Sequence, residues 1–185
     1  MTKNMIVDYD FFKGQSWDDI REDAAVIVVS GGFDPLHIGH LKYIQDARSA
    51  HEQTLAYDQG ELSFYCILIA VVNGDQFLHE KKGYAFMPAN ERLQIIDGLR
   101  GVDYTFEWNP KQPEEGYYYD MTVCGALELI KPHVFAKGGD RVEGNVPEDK
   151  ACREMGIEII YGVGGEKIQS SSQLIEDSYD SLHDE

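Results

Sequence analysis

Cysteine is scarce in this sequence, and its three cysteines have neither the even number of a disulfide framework nor the spacing of a structural zinc site. We therefore expect Cys66, Cys124 and Cys152 to be reduced thiols. No stretch reaches the ~20 apolar residues that a transmembrane helix needs. Residues 1–8 lack the apolar core of a secretory signal. These absences predict a cytoplasmic protein that does not associate with membranes.

Basic residues are also few, with 16 Lys and Arg against 33 Asp and Glu, a net charge of −17 and a pI near 4.6. Such a surface repels the phosphate backbone of DNA or RNA, which argues against a nucleic-acid substrate. Part of the acidic excess lies at the two ends of the chain. A small anionic substrate would have to be held by a few local cations against this overall field.

The chain has 185 residues and a hydrophobic content of 43%, enough for one domain with a real core. Strand-like apolar runs alternate with helical patterns, which predicts an α/β fold. We expect a Rossmann-like, doubly wound parallel sheet of about five strands with helices on both faces. The predicted strands are Val26–Ser30, Cys66–Val72, Tyr104–Glu107, Val134–Ala136 and Glu158–Tyr161.

The predicted helices are Gly39–Ala50, Ala89–Leu99, Met121–Ile130, with Asp120 as its cap, Glu148–Met155 and Ser171–Ser178. We divide the chain into an N-terminal extension (1–25), one main domain (26–178) and an acidic tail (179–185). The extension is polar with scattered aromatic residues, and we expect a short helix packed on the domain. Residues 51–63 are long for a connection between a helix and a strand, which favours an inserted surface loop.

Residues 30–40 carry the most chemistry, reading Ser-Gly-Gly-Phe-Asp-Pro-Leu-His-Ile-Gly-His directly after an apolar run. A buried strand that leads through a glycine turn into a helix start directs backbone N–H groups and the helix dipole at one spot. His37 and His40 lie about one helical turn apart, so both imidazoles can face that spot. The segment predicts a phosphate site. The alternative is that it is an ordinary helix start in the core with two surface histidines and no ligand.

Three more polar segments follow predicted strands, where an open α/β sheet binds its ligands. Asn73-Gly74-Asp75 follows the second strand, and Lys137-Gly138-Gly139-Asp140 follows the fourth. The fifth strand leads through Gly162-Val163-Gly164-Gly165 to the serines 170–172, which open the last helix. Because the carboxyl ends of parallel strands share one edge, these segments should meet around one ligand.

The same segments resemble the HxGH signature and the later motifs of the cytidylyltransferase-like nucleotidyltransferase superfamily. Gly32-Phe33-Asp34-Pro35-Leu36-His37-Ile38-Gly39-His40 matches the signature, and Phe86-Met87-Pro88-Ala89-Asn90-Glu91-Arg92 matches a later motif. Lys137-Gly138-Gly139-Asp140 and Ser170-Ser171-Ser172 match two others. The resemblance spans residues 26–178 and is nearest to the heptose-phosphate adenylyltransferases, with glycerol-3-phosphate cytidylyltransferase as a more distant relative.

The resemblance implies transfer of a nucleoside monophosphate from CTP or ATP to a phosphorylated sugar or alcohol, with release of pyrophosphate. It implies His37, His40 and Lys42 as the catalytic residues around the α-phosphate. The residues implied for nucleotide binding are Gly32, Phe33, Gly39, Lys137, Gly138, Asp140, Ser170, Ser171 and Ser172. Those implied for the acceptor are Asp34, Asn73, Asp75 and Arg92. The alternatives are that Asn73 and Asp75 order the loop after the second strand and that Arg92 supports the site from outside.

No cluster has the spacing of a protein metal site, so we expect Mg²⁺ to arrive with the triphosphate. The resemblance makes a homodimer an expectation, with residues 108–119 as a candidate surface. Two alternatives stay open: a nicotinamide-mononucleotide-type adenylyltransferase, whose usual arginine after the serine run is absent here, and a non-catalytic nucleotide-binding protein. An aminoacyl-tRNA synthetase is disfavoured because the chain is short and acidic.

Overall fold

The computed structural model describes residues 5–58, 66–109, 120–139, 141–144 and 146–183, with the backbone alone over residues 50–58. Among these residues six strands form one parallel sheet in the order β1-β4-β3-β2-β5-β6. The strands are β1 (Met5–Val7), β2 (Ala25–Gly31), β3 (Cys66–Asn73), β4 (Tyr104–Trp108), β5 (Val134–Gly138) and β6 (Glu158–Val163).

Helices connect the strands, as parallel pairing requires. They are α1 (Gln15–Asp23), α2 (Ile38–Asp58), α3 (Asp75–Lys82), α4 (Ala89–Asp97), α5 (Cys124–Ile130), α6 (Asp149–Met155) and α7 (Ser171–His183). A short 3₁₀ helix, Phe11–Lys13, precedes α1.

The core has two apolar clusters, one on each face of the sheet. Successive residues of β2 alternate between them, with Val26 and Val28 in one cluster and Ile27 and Val29 in the other. The first cluster packs against side chains of α1, α3, α5 and α6, and the second against α2 and α4. This arrangement confirms the predicted α/β sheet with helices on both faces.

The order of the strands places a crevice beside β2. The chain passes from β2 to β3 and β4 on one side, and then returns to place β5 against the other side of β2. In open α/β sheets such a reversal separates the loops that follow the two central strands, and ligands bind there. The carboxyl ends of β2 and β5 therefore mark where a ligand site is expected.

The N-terminal segment packs on this domain, as predicted. In α1 the side chain of Trp17 is buried, and its Nε1–H donates to the carbonyl oxygen of Ile130 at 3.1 Å. Strand β1, however, extends the sheet beyond β4 and was missed, because three residues with two exposed side chains give too short a pattern. The division of the chain at residues 25 and 178 stays a prediction.

Three local predictions need correction. Helix α2 continues to Asp58, so the interpretation of residues 51–58 as a loop is wrong; residues 59–63 of that segment lie outside the described part. Helix α3 was missed. Asp120 does not cap α5: its carboxylate accepts from the N–H and hydroxyl of Thr122, and the residue before the helix is Val123.

Candidate active site

A cavity of about 340 Å³ opens where β2, β5 and β6 end. Its walls come from the turn after β2, from the start of α2, and from the loops that follow β5 and β6. The residues that line it are Ser30, His37, Gly39, His40, Tyr43, Lys137, Gly138, Gly139, Val163, Gly164, Gly165, Glu166, Lys167, Ile168, Gln169, Ser170, Ser171 and Ser172. Segments more than a hundred residues apart in sequence thus meet around one space.

The two histidines form one rigid pair. Their rings stack with centroids 3.7 Å apart and planes inclined by 19°. The backbone N–H of His37 donates to Nδ1 of His40 at 3.3 Å, and the N–H of Gly39 donates to Nδ1 of His37 at 3.1 Å. Because both Nδ1 atoms accept, a neutral ring must carry its proton on Nε2. Each imidazole is therefore set up as an Nε2–H donor.

Burial keeps this pair uncharged. It lowers the pKa of His40 to about 3, with further lowering from the neighbouring His37 and from the Lys82 ammonium. Burial and then the charge of Lys167 also lower the pKa of His37. A phosphate bound beside the rings would act in the opposite direction, because a negative charge favours the protonated form. The neutral pair can therefore donate two Nε2–H hydrogen bonds, whereas a further proton could be taken up only at Nδ1, where it would displace the backbone N–H groups.

The turn before the histidines supports the pair. Phe33 adopts a left-handed backbone (φ 51°), and its buried ring meets that of His40 edge to face at 5.1 Å. Phe33 therefore lies beneath the histidines and is not one of the residues that line the cavity. A Cβ on Gly32 would come within 2.9 Å of Leu78, and one on Gly39 within 3.0 Å of the His37 ring. These glycines let the turn pass close to its neighbours.

The three serines line the same cavity as the histidines. Ser170, Ser171 and Ser172 line it together with His40, at the N-terminus of α7. The hydroxyl of Ser171 donates to the carbonyl oxygen of Pro35 at 2.9 Å, which ties the start of α7 to the turn after β2. The positive end of the α7 dipole is thus presented to any anion in the cavity.

Strand β5 delivers a lysine to the cavity wall. The side chain of Lys137 is 15% exposed, with Nζ 3.3 Å from Oε2 of Glu148. Next to it, Gly138 has no room for a side chain, since a Cβ would come within 2.8 Å of the Tyr43 ring. Asp140, which completes the predicted motif, lies outside the described residues.

Tyr43 and Glu148 were not selected from the sequence. The hydroxyl of Tyr43 donates to the carbonyl oxygen of Ala136 at 2.6 Å and accepts from the N–H of Ser30 at 3.3 Å. It thereby bridges the ends of β2 and β5 at the crevice. The position of Tyr43, three residues after His40 and so on the same face of α2, was the sequence signal that could have identified it. The sequence offers no such signal for Glu148, because its partner Lys137 is 11 positions away.

Lys42 lies at the edge of the site and is not among the lining residues. Its Nζ donates to the carbonyl oxygen of Gly164 at 2.6 Å and lies 3.4 Å from Oδ2 of Asp46. It therefore braces the glycine loop after β6. A catalytic role for Lys42 stays a prediction and would require the ammonium to leave these partners.

Arg92 lies beneath the site, although the resemblance implied that it contacts the acceptor. It is fully buried, and its guanidinium donates to the carbonyl oxygens of Met87, Gly32 and Asn73 at 2.9, 2.7 and 2.6 Å. It also pairs with Oδ1 of Asp75 at 2.6 Å. The structure therefore places Arg92 as a support that joins the ends of β2 and β3, because burial keeps it from an acceptor in the cavity.

Asp34 is likewise saturated. It is 1% exposed, and its two oxygens accept from the N–H groups of Phe86 and Met87, each at 2.7 Å. Lys82 Nζ lies 3.1 Å from Oδ2 as well. This carboxylate fixes the loop before α4 and leaves little capacity for an acceptor.

Asn73 differs from Asp34, since its buried Oδ1 has no hydrogen-bond partner among the described residues. Asn73 is therefore the predicted acceptor residue with an unused buried acceptor atom. Asp75 is half exposed at the start of α3. Neither residue lines the cavity, so their contact with an acceptor stays a prediction.

No group of three or more His, Cys, Asp or Glu that could hold a metal ion occurs in the described part of the chain. The cavity lining contains one carboxylate, that of Glu166, beside two lysines and several backbone groups. This lining fits an Mg²⁺ ion whose oxygen ligands come from phosphates and water. Within the described residues, no helix has the length and apolarity to cross a membrane.

A parallel α/β sheet with a cavity lined by lysines and serines at the carboxyl ends of its central strands is typical of the class of proteins that bind nucleotides or other phosphate ligands. The sequence profile of the cytidylyltransferase-like family matches residues 28–162, which is more than half of the chain. The chain therefore belongs to the cytidylyltransferase-like family.

Similar proteins include the Bifunctional protein HldE of Hahella chejuensis, 30% identical over 152 residues, which cover 80% of this chain and 25% of that protein. The Bifunctional protein HldE of Psychromonas ingrahamii is 32% identical over 143 residues, covering 76% of this chain and 23% of the relative. The chain thus spans about a quarter of the length of these relatives.

Two solved structures share the fold. The lipopolysaccharide core biosynthesis protein of Thermoplasma volcanium superposes with a TM-score of 0.51 at 22% identity, over 75% of this chain and 93% of that chain. Pantoate-beta-alanine ligase of Francisella tularensis gives 0.58 at 17% identity, over 96% and 75%. At these identities the likeness concerns the fold alone.

Proposed function

We propose that this protein transfers a nucleoside monophosphate from CTP or ATP to a phosphorylated sugar or alcohol. A phosphate oxygen of the acceptor forms a bond to the α-phosphorus, the bond from that phosphorus to the bridging oxygen of the β-phosphate breaks, and pyrophosphate leaves. The observation that carries the proposal is the single cavity shared by the histidine pair and the serine cluster. The resemblance to sugar-phosphate adenylyltransferases supports the class of acceptor.

The reaction needs positioning and charge stabilisation more than covalent help from the protein. We place the α-phosphate at the two Nε2–H donors of His37 and His40, which are oriented by their Nδ1 hydrogen bonds. Negative charge that develops on the α-phosphate oxygens strengthens these hydrogen bonds. One well-placed donor of this kind contributes on the order of 3–4 kcal/mol to the transition state.

The β- and γ-phosphates would lie toward Ser170–Ser172 and the N-terminus of α7, with Lys137 and Lys167 on the adjoining walls. The leaving pyrophosphate then carries its charge toward hydroxyls, a helix N-terminus and two ammonium groups. Mg²⁺ bound to the triphosphate oxygens would neutralise part of that charge. The protein's own contribution would be to hold the triphosphate between the histidine pair and the serine cluster.

The test is a pyrophosphate-release screen that crosses the four nucleoside triphosphates with sugar 1-phosphates, glycerol 3-phosphate, choline phosphate, ethanolamine phosphate and nicotinamide mononucleotide. We expect release that depends on both substrates, with one base and one acceptor class preferred. If nicotinamide mononucleotide is the one acceptor of the panel that supports release, the acceptor is a mononucleotide and not a sugar or alcohol phosphate. Nucleotide binding without release across the panel would favour a non-catalytic binding protein and contradict the proposal.

A further inference from the structure

A buried carboxylate stands behind the wall of the cavity. Glu148 is 5% exposed and immediately precedes α6. Its Oε1 accepts from the backbone N–H of Val123 at 3.3 Å, and its Oε2 lies 3.3 Å from Nζ of Lys137. In the described part of the chain Oε2 has no hydrogen-bond partner, so the ion pair is the contact that balances its charge.

Lys137 depends on this carboxylate because it is itself largely buried. Its ammonium lies 4.5 Å from the ring centroid of Phe135. Burial lowers the pKa of Lys137, whereas the charge and contact of Glu148 raise it. Lys137, which lines the cavity, thus owes part of its positive charge to a residue outside the cavity.

The other groups around the pair do not offer the same compensation. Lys81 of α3 and Arg141 after β5 add positive charge, which lowers the pKa of Lys137 further. Asp149 is engaged by the Tyr161 hydroxyl and the Gly144 N–H, both at 2.7 Å. The remaining titratable groups that face Glu148 have a raised pKa and stay neutral near pH 7: Tyr43, Cys124 and Cys152.

We propose, on the basis of the function proposed above, that Glu148 is a positioning residue. Its ion pair keeps Lys137 charged and fixed in the wall of the cavity, so that an incoming triphosphate meets an ammonium that is already in place. Glu148 touches no substrate in this scheme and acts through Lys137. Two consequences follow: its removal should change the titration of Lys137, and its kinetic effect should vanish when Lys137 is absent.

The first experiment needs no activity. In Glu148→Gln the side-chain carbonyl can still accept from Val123 N–H, while the negative charge is lost. We expect the pKa of Lys137, followed by NMR of ¹³C-dimethylated lysines and assigned with Lys137→Arg, to fall by about one unit or more. An unchanged titration of Lys137 in a folded Glu148→Gln protein would overturn the proposal.

The second experiment is a double-mutant cycle on pyrophosphate release. We expect Glu148→Gln to raise the KM for the triphosphate about tenfold, to change kcat less, and to move the alkaline limb of kcat/KM to lower pH. In a Lys137→Met background the same substitution should change KM less than twofold. Equal effects in both backgrounds would show a merely structural role and would contradict the proposal.

Glu154→Gln is the matched control, because Glu154 is an exposed carboxylate of α6 that pairs with Lys150 at 3.8 Å. It should leave KM, kcat and the pH profile unchanged. If the wild-type protein releases no pyrophosphate with any triphosphate, the proposed function fails. The lysine titration still decides the role of Glu148 in that case.

Discussion

Two substitutions at His40 separate its two nitrogen atoms. An asparagine places an acceptor near the position of Nδ1, where it can still take the N–H of His37, but it supplies no donor at the position of Nε2. A glutamine reaches farther and places an amide N–H near Nε2. If the Nε2–H of His40 stabilises the α-phosphate, His40→Asn should lose the donor while His40→Gln keeps part of it.

The magnitude follows from the loss of one preorganised donor, which lowers kcat about 10²–10³-fold, or about 3–4 kcal/mol. We expect this loss for His40→Asn and a loss of about tenfold for His40→Gln. The stability cost should be similar for both, about 1–2 kcal/mol, since each loses the stacking on His37 and the contact with Phe33.

The assay is steady-state pyrophosphate release with the best substrate pair from the screen, alongside urea unfolding of both variants. The two substitutions share the same lost ring, so unfolding reports the packing contribution and kcat reports the donor. Wild-type turnover in His40→Asn would show that the Nε2–H of His40 does not stabilise the α-phosphate. Equal losses in both variants would show that the ring's packing, and not its donor, supports catalysis.

The lowered pKa of His40 means that the unfolded protein binds more protons than the folded one between about pH 3 and 6.5, so this contribution to stability is complete above pH 6.5 and is lost as pH falls. We expect the contribution of His40 to the free energy of unfolding to drop by about 2 kcal/mol from pH 7.5 to pH 5. In urea unfolding, the stability of His40→Gln should therefore depend less on pH than that of the wild type. An identical pH dependence in the two proteins would contradict the lowered pKa of His40. Arg92→Lys should destabilise the fold by about 3 kcal/mol in the same urea assay, because one ammonium cannot replace the guanidinium's four hydrogen bonds. The control Arg100→Lys, at an exposed arginine, should cost less than about 0.5 kcal/mol. Similar costs for the two substitutions would contradict the supporting role of Arg92. Gly39→Ala should lower kcat about tenfold or more in the pyrophosphate assay while the protein stays folded, because its Cβ would lie 3.0 Å from the His37 ring and displace it; unchanged turnover would show that the position of His37 matters little.

The parts of the fold that the sequence predicted well are those that a local pattern determines. The five predicted strands follow apolar runs such as Val26–Ser30, and each lies within an observed strand. Strand β1 was not predicted because its partner β4 is about a hundred residues away and its three residues show no burial pattern of their own. Helix α2 extends beyond its predicted C-terminus at Ala50 because residues 51–58 contain no glycine or proline that would end it.

The candidate site shows the same division. Glycine turns and paired histidines can be read along the chain, and the structure brings His37, His40 and the serines 170–172 into one cavity. Burial cannot be read in this way. Arg92 and Asp34 carry polar groups typical of a binding surface, yet these groups are engaged beneath it, mostly by backbone atoms and also by the side chains of Asp75 and Lys82. Whether a charged residue faces a ligand or supports a loop depends on contacts between distant segments.

The acidity of the chain and the proposed triphosphate site are compatible because they act over different distances. At physiological ionic strength, charges separated by more than about 8 Å in solvent are largely screened, so most of the −17 net charge is weakly felt inside the cavity. The groups that line the cavity act at contact distance, where burial reduces screening: two lysines, a helix N-terminus and two imidazole donors. Neutral histidines suit the proposed function, because their Nε2–H groups would orient the α-phosphate by hydrogen bonds while Lys137 and Lys167 would provide the positive charge. In this proposal, binding of a polyanion by so acidic a protein depends on a few oriented groups, and each should matter individually.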